Sequence, residues 1–475
     1  MDTANNATSP RLNQHQTIHI IGIGGAGMSA IARVLHGRGL RVTGSDRSDS
    51  ATLHDLAALG MTVFPQHAAD QLGAPDVVVI SSAVPNDNPE VMAAQARGVP
   101  ILKRREFLPH LLADKTQVAV AGTHGKTTTT AMIAYLLQQT GRDPSYIVGG
   151  TLLNTADNAR AGNGEAFVIE ADEYDYMFLG LAPTVAVITN IEHDHPDMFP
   201  TLDSTLDAFR QFVGKMPPFD SVLIACADDR HALSLAQERL ARTQPTLTYG
   251  FENLEARWRG IGWDGSTYTA HGTQFGETVS AQVRLTLNGR HNALNSLAAL
   301  AAVCALDVPL REAVPHLATF KGTARRLELI GDVAQVKIYS DYGHHPTAIR
   351  ANLAGLRARY PQHQLWAVWQ PHTYSRTRLL ADQFATAFTD ADHALVTDVY
   401  GAREVYQAGD PTGESMAALI RAAGHTDARH SGTLRQTAQI LIDEVEANSV
   451  VVIFSAGDAP QVGTWLLEAL RERSC

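Results

Sequence analysis

The sequence predicts an α/β protein of three consecutive domains. These are a Rossmann-like N-terminal domain, a central P-loop ATPase α/β domain with a small antiparallel excursion, and a C-terminal Rossmann-like α/β domain. Three observations carry the prediction. Short β-branched runs alternate with longer helical patterns from residue 17 onward, the signature of parallel sheets. The chain has 475 residues, about three domains at roughly 150 residues each. Glycine-rich turns at 22–27 and 122–125 each follow a strand and open a helix, so two of the alternating series begin on a ligand-type turn.

The elements follow in order. Residues 1–16 are a polar tail, MDTANNATSPRLNQHQ, without the apolar segment of a signal peptide. Strands are expected at 17–23, 41–46, 76–82 and 99–104, which places a first domain over 17–113. A second series at 116–122, 165–171, 184–190 and 221–227 belongs to a domain over 114–328. Within it, the Thr-, Gly- and aromatic-rich stretch 246–270 reads as the antiparallel excursion, and a helix resumes over 289–306. A third series at 334–340, 363–369, 393–399 and 449–455 gives a domain over 329–475.

Hydrophobic residues make up 45% and charged residues 18%, enough apolar surface for several cores. With 38 Lys and Arg against 49 Asp and Glu, the net charge of −11 argues against a nucleic-acid or anionic-membrane partner. Small anionic ligands must then be held by local positive charge. Three cysteines, Cys226, Cys304 and Cys475, are too few and too scattered for a disulfide framework or a zinc knuckle. No apolar run approaches the roughly 20 residues of a membrane span. A cytoplasmic enzyme is expected, and nothing in the pattern specifies an oligomeric state.

Three segments carry chemistry. In GIGGAGMS, Gly22, Gly24 and Gly27 have GxGxxG spacing, and Asp46 ends the next strand 19 residues after Gly27. Such a turn suits a diphosphate at a helix N-terminus, whether of a dinucleotide or of a UDP-sugar, and the spacing also fits a purely structural turn. In AGTHGKTTTT, Gly122 and Gly125 free the backbone to wrap phosphate oxygens. Lys126 would reach the β- and γ-phosphates, and the Thr127 hydroxyl would ligate Mg²⁺. Val120 stands where a strict Walker A loop has its first glycine, so the loop is a variant. EADEYD (Glu170, Asp172, Glu173, Asp175) and IEHDHPD (Glu192, His193, Asp194, His195, Asp197) follow successive strands. Hard oxygens there suit Mg²⁺, and an imidazole can complete the shell of a second ion.

Together GIGGAGMS, AGTHGKTTT, EADEYD, NIEHDHPD, GRHNALNSLAA and DYGHHPT resemble the Mur ligases of peptidoglycan synthesis, essentially from Thr17 to the last helix. The wording is similar to the alanine-adding branch. That resemblance implies ATP, Mg²⁺, UDP-N-acetylmuramate and L-alanine as ligands and an acyl-phosphate route to an amide. It implies ATP binding at Gly122, Thr123, His124, Gly125, Lys126, Thr127 and Thr128, with Asn292 and Asn295 on the adenine and Arg325 and Asp341 at the nucleotide. It places the UDP-substrate on Gly22, Gly24, Gly25, Gly27, Met28, Ser29, Asp46 and Ser82, and metal on Thr127, Glu170 and His195. Lys126, one of Arg325 and Arg326, and His195, His344 or His345 are the candidate catalytic groups, the choice of base among the histidines staying open. His344 and Arg376 are the candidates for the amino acid.

Some positions depart from the family pattern. Thr373 stands where some alanine-adding members have arginine, and Arg210 stands near the position of a carbamoylated lysine, so no such modification is expected. VIFSAGDAPQVG departs from the expected GAGD wording. The Lys103–Arg105 cluster adds to the local positive charge. Three alternatives stand beside this reading. A peptide-recycling member would join a preformed peptide to the same UDP-sugar. An NAD-linked oxidoreductase would leave the phosphate loop unexplained. A non-catalytic nucleotide-binding regulator would leave the acidic and histidine loops unexplained.

Overall fold

The computed structural model describes residues 12, 13 and 15–474; most of the polar tail and Cys475 lie outside them. The first sheet has five parallel strands in the order Thr62–Phe64, Arg41–Ser45, Thr17–Ile21, Val77–Ile80, Ile101–Lys103. The strand order reverses beside Thr17–Ile21, so a crevice opens at that strand's carboxyl end, where Gly22 begins its turn. Gly22 has φ +81°, and a Cβ there would lie 3.0 Å from Ser81 Cβ, so both conformation and space call for glycine.

The central sheet has ten strands, with Thr116–Ala121 and Val185–Ile188 paired in parallel in its middle. The excursion is narrower than expected. Thr246–Gly250 and Trp258–Ile261 extend the main sheet in parallel, and direction reverses only at Thr267–Gln274, which forms a hairpin with Glu277–Arg284. The helix Arg230–Leu240 supplies the crossover that lets Thr246–Gly250 enter parallel to Val222–Cys226. The third sheet is Rossmann-like, with five parallel strands and one antiparallel edge strand, Glu328–Val333. The three α/β units expected from the sequence are therefore present.

The cores are distributed unevenly. One continuous apolar cluster runs from the first sheet, through Ile18, Ile31 and Leu111, into the central sheet at Val118, Tyr146 and Phe167. The helix Ala26–Gly37 makes the joint, packing on strands Ser145–Leu152 and Asp157–Arg160. Arg38 just beyond it lies over the Phe167 ring at 5.4 Å. The third sheet has its own two clusters, one built around Trp369 and Phe388 and one around Trp366 and Leu466. Named hydrogen bonds and ion pairs tie it to the centre: Asp194 to Arg376, Glu192 to Thr347 and Thr127 to Arg326. Cys226 and Cys304 are buried and free. Among the described residues no helix is long and apolar enough to cross a membrane.

Candidate active site

The phosphate loop is shaped by its glycines. Gly122 has φ +135°, and a Cβ there would fall 2.0 Å from Thr189 Oγ1; at Gly125, φ is +82° and a Cβ would fall 2.5 Å from Asn295 Oδ1. The helix Lys126–Gln139 starts immediately afterwards and is buried along its first three turns, so its positive end is fixed in the core. The following strand's loop clips this one in place. Asn190 O accepts from Thr123 N at 2.9 Å, Asn190 Oδ1 accepts from His124 N at 2.8 Å, and Thr123 Oγ1 accepts from Glu192 N at 2.8 Å. Lys126 Nζ donates to Glu173 at 2.8 and 3.0 Å and to Gly122 O at 2.6 Å. Thr127 Oγ1 donates to Glu170 Oε1 at 3.1 Å and accepts from Arg326 Nη2 at 3.0 Å. Asn292 and Asn295, one turn apart on the helix Arg290–Cys304, are hydrogen-bonded to each other at 3.3 Å behind the loop.

The second acidic loop meets the third domain. Arg376 Nε donates to Asp194 Oδ1 at 3.0 Å, with His372 Nδ1 and His195 Nδ1 at 3.1 and 3.4 Å from its terminal nitrogens. The candidate for an amino-acid carboxylate thus already holds a carboxylate of the chain itself. Glu192 Oε2 gathers Thr347 Oγ1 at 2.9 Å, His124 Nε2 at 3.3 Å and His345 Nδ1 at 3.5 Å. Asp341 accepts Leu327 N at 2.7 Å and Gly343 N at 2.6 Å, so it organises two loops from beneath.

Arg325 is held by the third domain. Its Nη2 donates to Ser455 O at 2.7 Å and Gly457 O at 3.0 Å, away from the phosphate loop. With φ +58° at Arg325, the consecutive arginines diverge, and only Arg326 reaches Thr127.

In the first domain, Met28 packs into the apolar core and the Ser29 hydroxyl donates to Ala26 O at 3.1 Å, while both backbone N–H groups donate to Gly25 O. Among the described residues the first-turn N–H groups of Ala26 and Gly27 have no hydrogen-bond acceptor. Asp46 pins the turn: Oδ2 accepts Gly24 N at 2.9 Å and Oδ1 accepts Arg47 N at 2.8 Å. Ser82 is exposed just after Val77–Ile80. Arg210 lies on the outer surface, paired with Asp207 and Glu238.

One cavity of about 750 Å³ joins the three domains, reaching from Gly27 and Arg104 past Lys126, Thr127 and Glu170 to His195, Asp341, His344 and Arg376. Comparison with known proteins agrees with this layout. Residues 17–116 match the model described as Mur ligase family, catalytic domain; 120–303 match Mur ligase middle domain; and 325–457 match Mur ligase, glutamate ligase domain. The UDP-N-acetylmuramate–L-alanine ligase of Renibacterium salmoninarum is 42% identical over 470 residues, covering 97% of each chain. The chain belongs to the Mur ligase family. The same-named ligase of Geotalea uraniireducens is 39% identical, over 96% of this Mur ligase and 98% of its own length. The crystal structure of the alanine ligase MurC from Thermotoga maritima superposes with a TM-score of 0.79 at 27% identity, covering 97% of this chain and 100% of that one. A murein peptide ligase from Psychrobacter arcticus superposes at 0.68 and 28% identity, covering 96% and 98%.

Burial and paired charge set the electrostatics of the Mur ligase cavity. Burial opposes the Lys126 charge, but Glu173, Asp172 and Glu170 outweigh it and raise its pKa. Burial pushes Glu173 up to about 7 even beside Lys126. Burial also works against the Asp194 charge, yet His344 and Arg376 hold its carboxyl well below the usual range. His344 is pushed down to about 4 and His345 to about 3, both chiefly by burial. Sequence reasoning singled out neither Glu173 as the partner of Lys126 nor Glu192 as the junction of three side chains. The signal was the acidic run itself, which names four or five carboxylates without ranking them.

Proposed function

We propose that this Mur ligase joins L-alanine to the carboxylate of UDP-N-acetylmuramate, with ATP converted to ADP and phosphate, as a cytoplasmic step of peptidoglycan synthesis. The observation that carries the reading is the single cavity into which a diphosphate-type turn, a phosphate loop and the Arg376 site open from three different domains. Curated alanine ligases of the same length and about 40% identity support the choice within the family.

A carboxylate resists attack by an amine, because resonance and negative charge both oppose it. Phosphorylation removes both obstacles. The muramate carboxylate attacks the γ-phosphorus of ATP and ADP departs; the amine then attacks the acyl carbon and phosphate leaves. Lys126 and Arg326, on either side of Thr127, offset the charge on the phosphoryl group in flight. Thr127 and Glu170, hard oxygens 3.1 Å apart, suit Mg²⁺, which would neutralise phosphate charge; His195, whose pKa burial lowers, lines the same cavity and offers an imidazole. Asn292 and Asn295 offer amide groups to adenine, and Arg376 offers the receptor for the alanine carboxylate.

The choice of base narrows. A proton acceptor works best near the operating pH, and His344 and His345 are held far below it. His345 also caps its own helix, accepting Thr347 N at Nδ1. His195 is the remaining imidazole of the three to take the proton that the amine gives up as the amide forms.

ADP release measured with UDP-N-acetylmuramate plus L-alanine, glycine, L-serine or a tripeptide tests the assignment. Release should require the UDP-sugar and be fastest with L-alanine. Independence from the UDP-sugar would refute the ligase reading, and preference for the tripeptide would move the chain to the peptide-recycling branch.

A further inference from the structure

Glu192 differs from two other carboxylates of the domain junction. Glu173 faces Lys126 and Asp194 faces Arg376, but among the described residues Glu192 ion-pairs with no lysine or arginine. Its Oε2 lies 3.3 Å from His124 Nε2 and 3.5 Å from His345 Nδ1. One donor atom from each of these three side chains lies within 4.8 Å of the others. The three come from separate elements, each held in place. His124 belongs to the phosphate loop, where Asn190 Oδ1 accepts its N–H at 2.8 Å and Thr189 Oγ1 donates to its carbonyl at 2.6 Å. Glu192 stands in the loop after the strand Val185–Ile188, and the Thr347 hydroxyl orients its carboxylate at 2.9 Å. His345 immediately precedes the helix Pro346–Arg359 of the third domain and is 2% exposed.

Two of these groups meet lone pair to lone pair. His345 Nδ1 accepts Thr347 N at 3.4 Å, long for a hydrogen bond, so the neutral ring presents a lone pair there. Opposite it stands a carboxylate oxygen, which also has only lone pairs to offer. Burial pushes His345 down to about 3, so the ring does not protonate at neutral pH to relieve the contact. Two imidazoles and a carboxylate are a zinc donor set, and bonds of about 2.1 Å at the tetrahedral angle put neighbouring donors about 3.4 Å apart. The 3.3 and 3.5 Å separations match that spacing. Mg²⁺ prefers an octahedron of oxygens, so this set is distinct in chemistry from Thr127 and Glu170, and it shares no residue with them. Glu192 and His345 also line a second cavity of about 590 Å³, bounded by Asp229, His231 and Gln383, which gives an ion an entry that does not pass Lys126. We propose that His124, Glu192 and His345 bind Zn²⁺ as a three-ligand site with its fourth position open, joining the phosphate loop to the third domain. The ion takes over the lone pair that Thr347 N shares and resists separation of the two domains.

Titration of the nucleotide-free full chain with ZnCl₂ by calorimetry, and with CoCl₂ by visible absorption, tests this. The variants are His124→Gln, Glu192→Gln and, as the control at the Mg²⁺ position, Glu170→Gln. The wild type should bind Zn²⁺ saturably in the presence of excess Mg²⁺, and Co²⁺ should show the intense visible bands of a four-coordinate ion. Affinity should fall about tenfold or more in His124→Gln and Glu192→Gln and stay within about twofold in Glu170→Gln. Zn²⁺ should also raise the thermal midpoint of the wild type and leave that of His124→Gln in place. Glu192→Gln touches Thr347 as well, so His124→Gln, whose backbone is held by Asn190 and Thr189, decides the case if the junction loosens. No saturable Zn²⁺ binding by the wild type would overturn the proposal. So would unchanged affinity in His124→Gln, a loss confined to Glu170→Gln, or the weak bands of six-coordinate Co²⁺.

Discussion

Lys126 is bound by the protein before any phosphate reaches it: Glu173 chelates its ammonium at 2.8 and 3.0 Å. A nucleotide must compete with that carboxylate. Glu173→Gln keeps a hydrogen-bonding group and removes the competing charge, so ATP should bind about three- to tenfold more tightly, read by calorimetry. Equal or weaker binding would show that Glu173 supports the lysine without competing for it. Lys126→Ala should lose phosphoryl transfer by about 10³-fold or more with an unchanged circular dichroism spectrum. Turnover near the wild-type level would remove Lys126 from the mechanism. At this scale the phosphate loop was legible because glycine, lysine and hydroxyl must stand at fixed offsets. Arg325 and Arg326 were not separable, since their divergence follows from one left-handed residue that the sequence does not mark. Arg104 was visible only as one of three adjacent basic residues, and its reach to Gly27 is a contact across 77 positions.

The loop that follows Val185–Ile188 is the element on which the site turns. Its Asn190 and Glu192 hold the phosphate loop, and its Glu192 and Asp194 hold the third domain. Asp194 and Arg376 are each buried, with side chains only 7% exposed, so removing one partner strands the other's charge. Asp194→Asn should cost about 3 kcal/mol or more in chemical denaturation, and Asp194→Asn combined with Arg376→Met should recover part of it. A loss below about 1 kcal/mol would mean that water or a neighbouring group replaces the pair. The main strands could be read from β-branched runs because both sheet faces are covered. The parallel entry of Thr246–Gly250 and Trp258–Ile261 could not, since pairing direction depends on where the crossover packs and not on strand composition.

Over the whole molecule the net charge of −11 coexists with anion receptors because several acidic groups are internally matched. Lys126 and Arg376 each sit against a carboxylate of the chain, Glu173 and Asp194. Four histidines near the cavity, His291, His344, His345 and His372, are held by burial at about 4, 4, 3 and 4. Their unfolded values lie near 6.5, so between about pH 6.5 and 4 the unfolded chain binds more protons than the folded one. Stability contributed by these groups is complete above about pH 6.5 and falls as pH drops toward 4. The thermal midpoint should therefore decline through that window, and His291→Asn should make the decline shallower. An identical slope in the variant would show that His291 is protonated in the fold.

The shared core between the first two sheets has a calorimetric consequence. Ile31, Leu111, Val118 and Phe167 belong to one apolar cluster, whereas the third sheet closes its own. Heat should therefore melt the chain as two cooperative blocks, not three, because the first sheet cannot open without exposing the wall of the second. The fragment ending at residue 326 should keep its own transition. The first sheet expressed alone, cut near residue 113, should expose the Ala26–Gly37 face and self-associate.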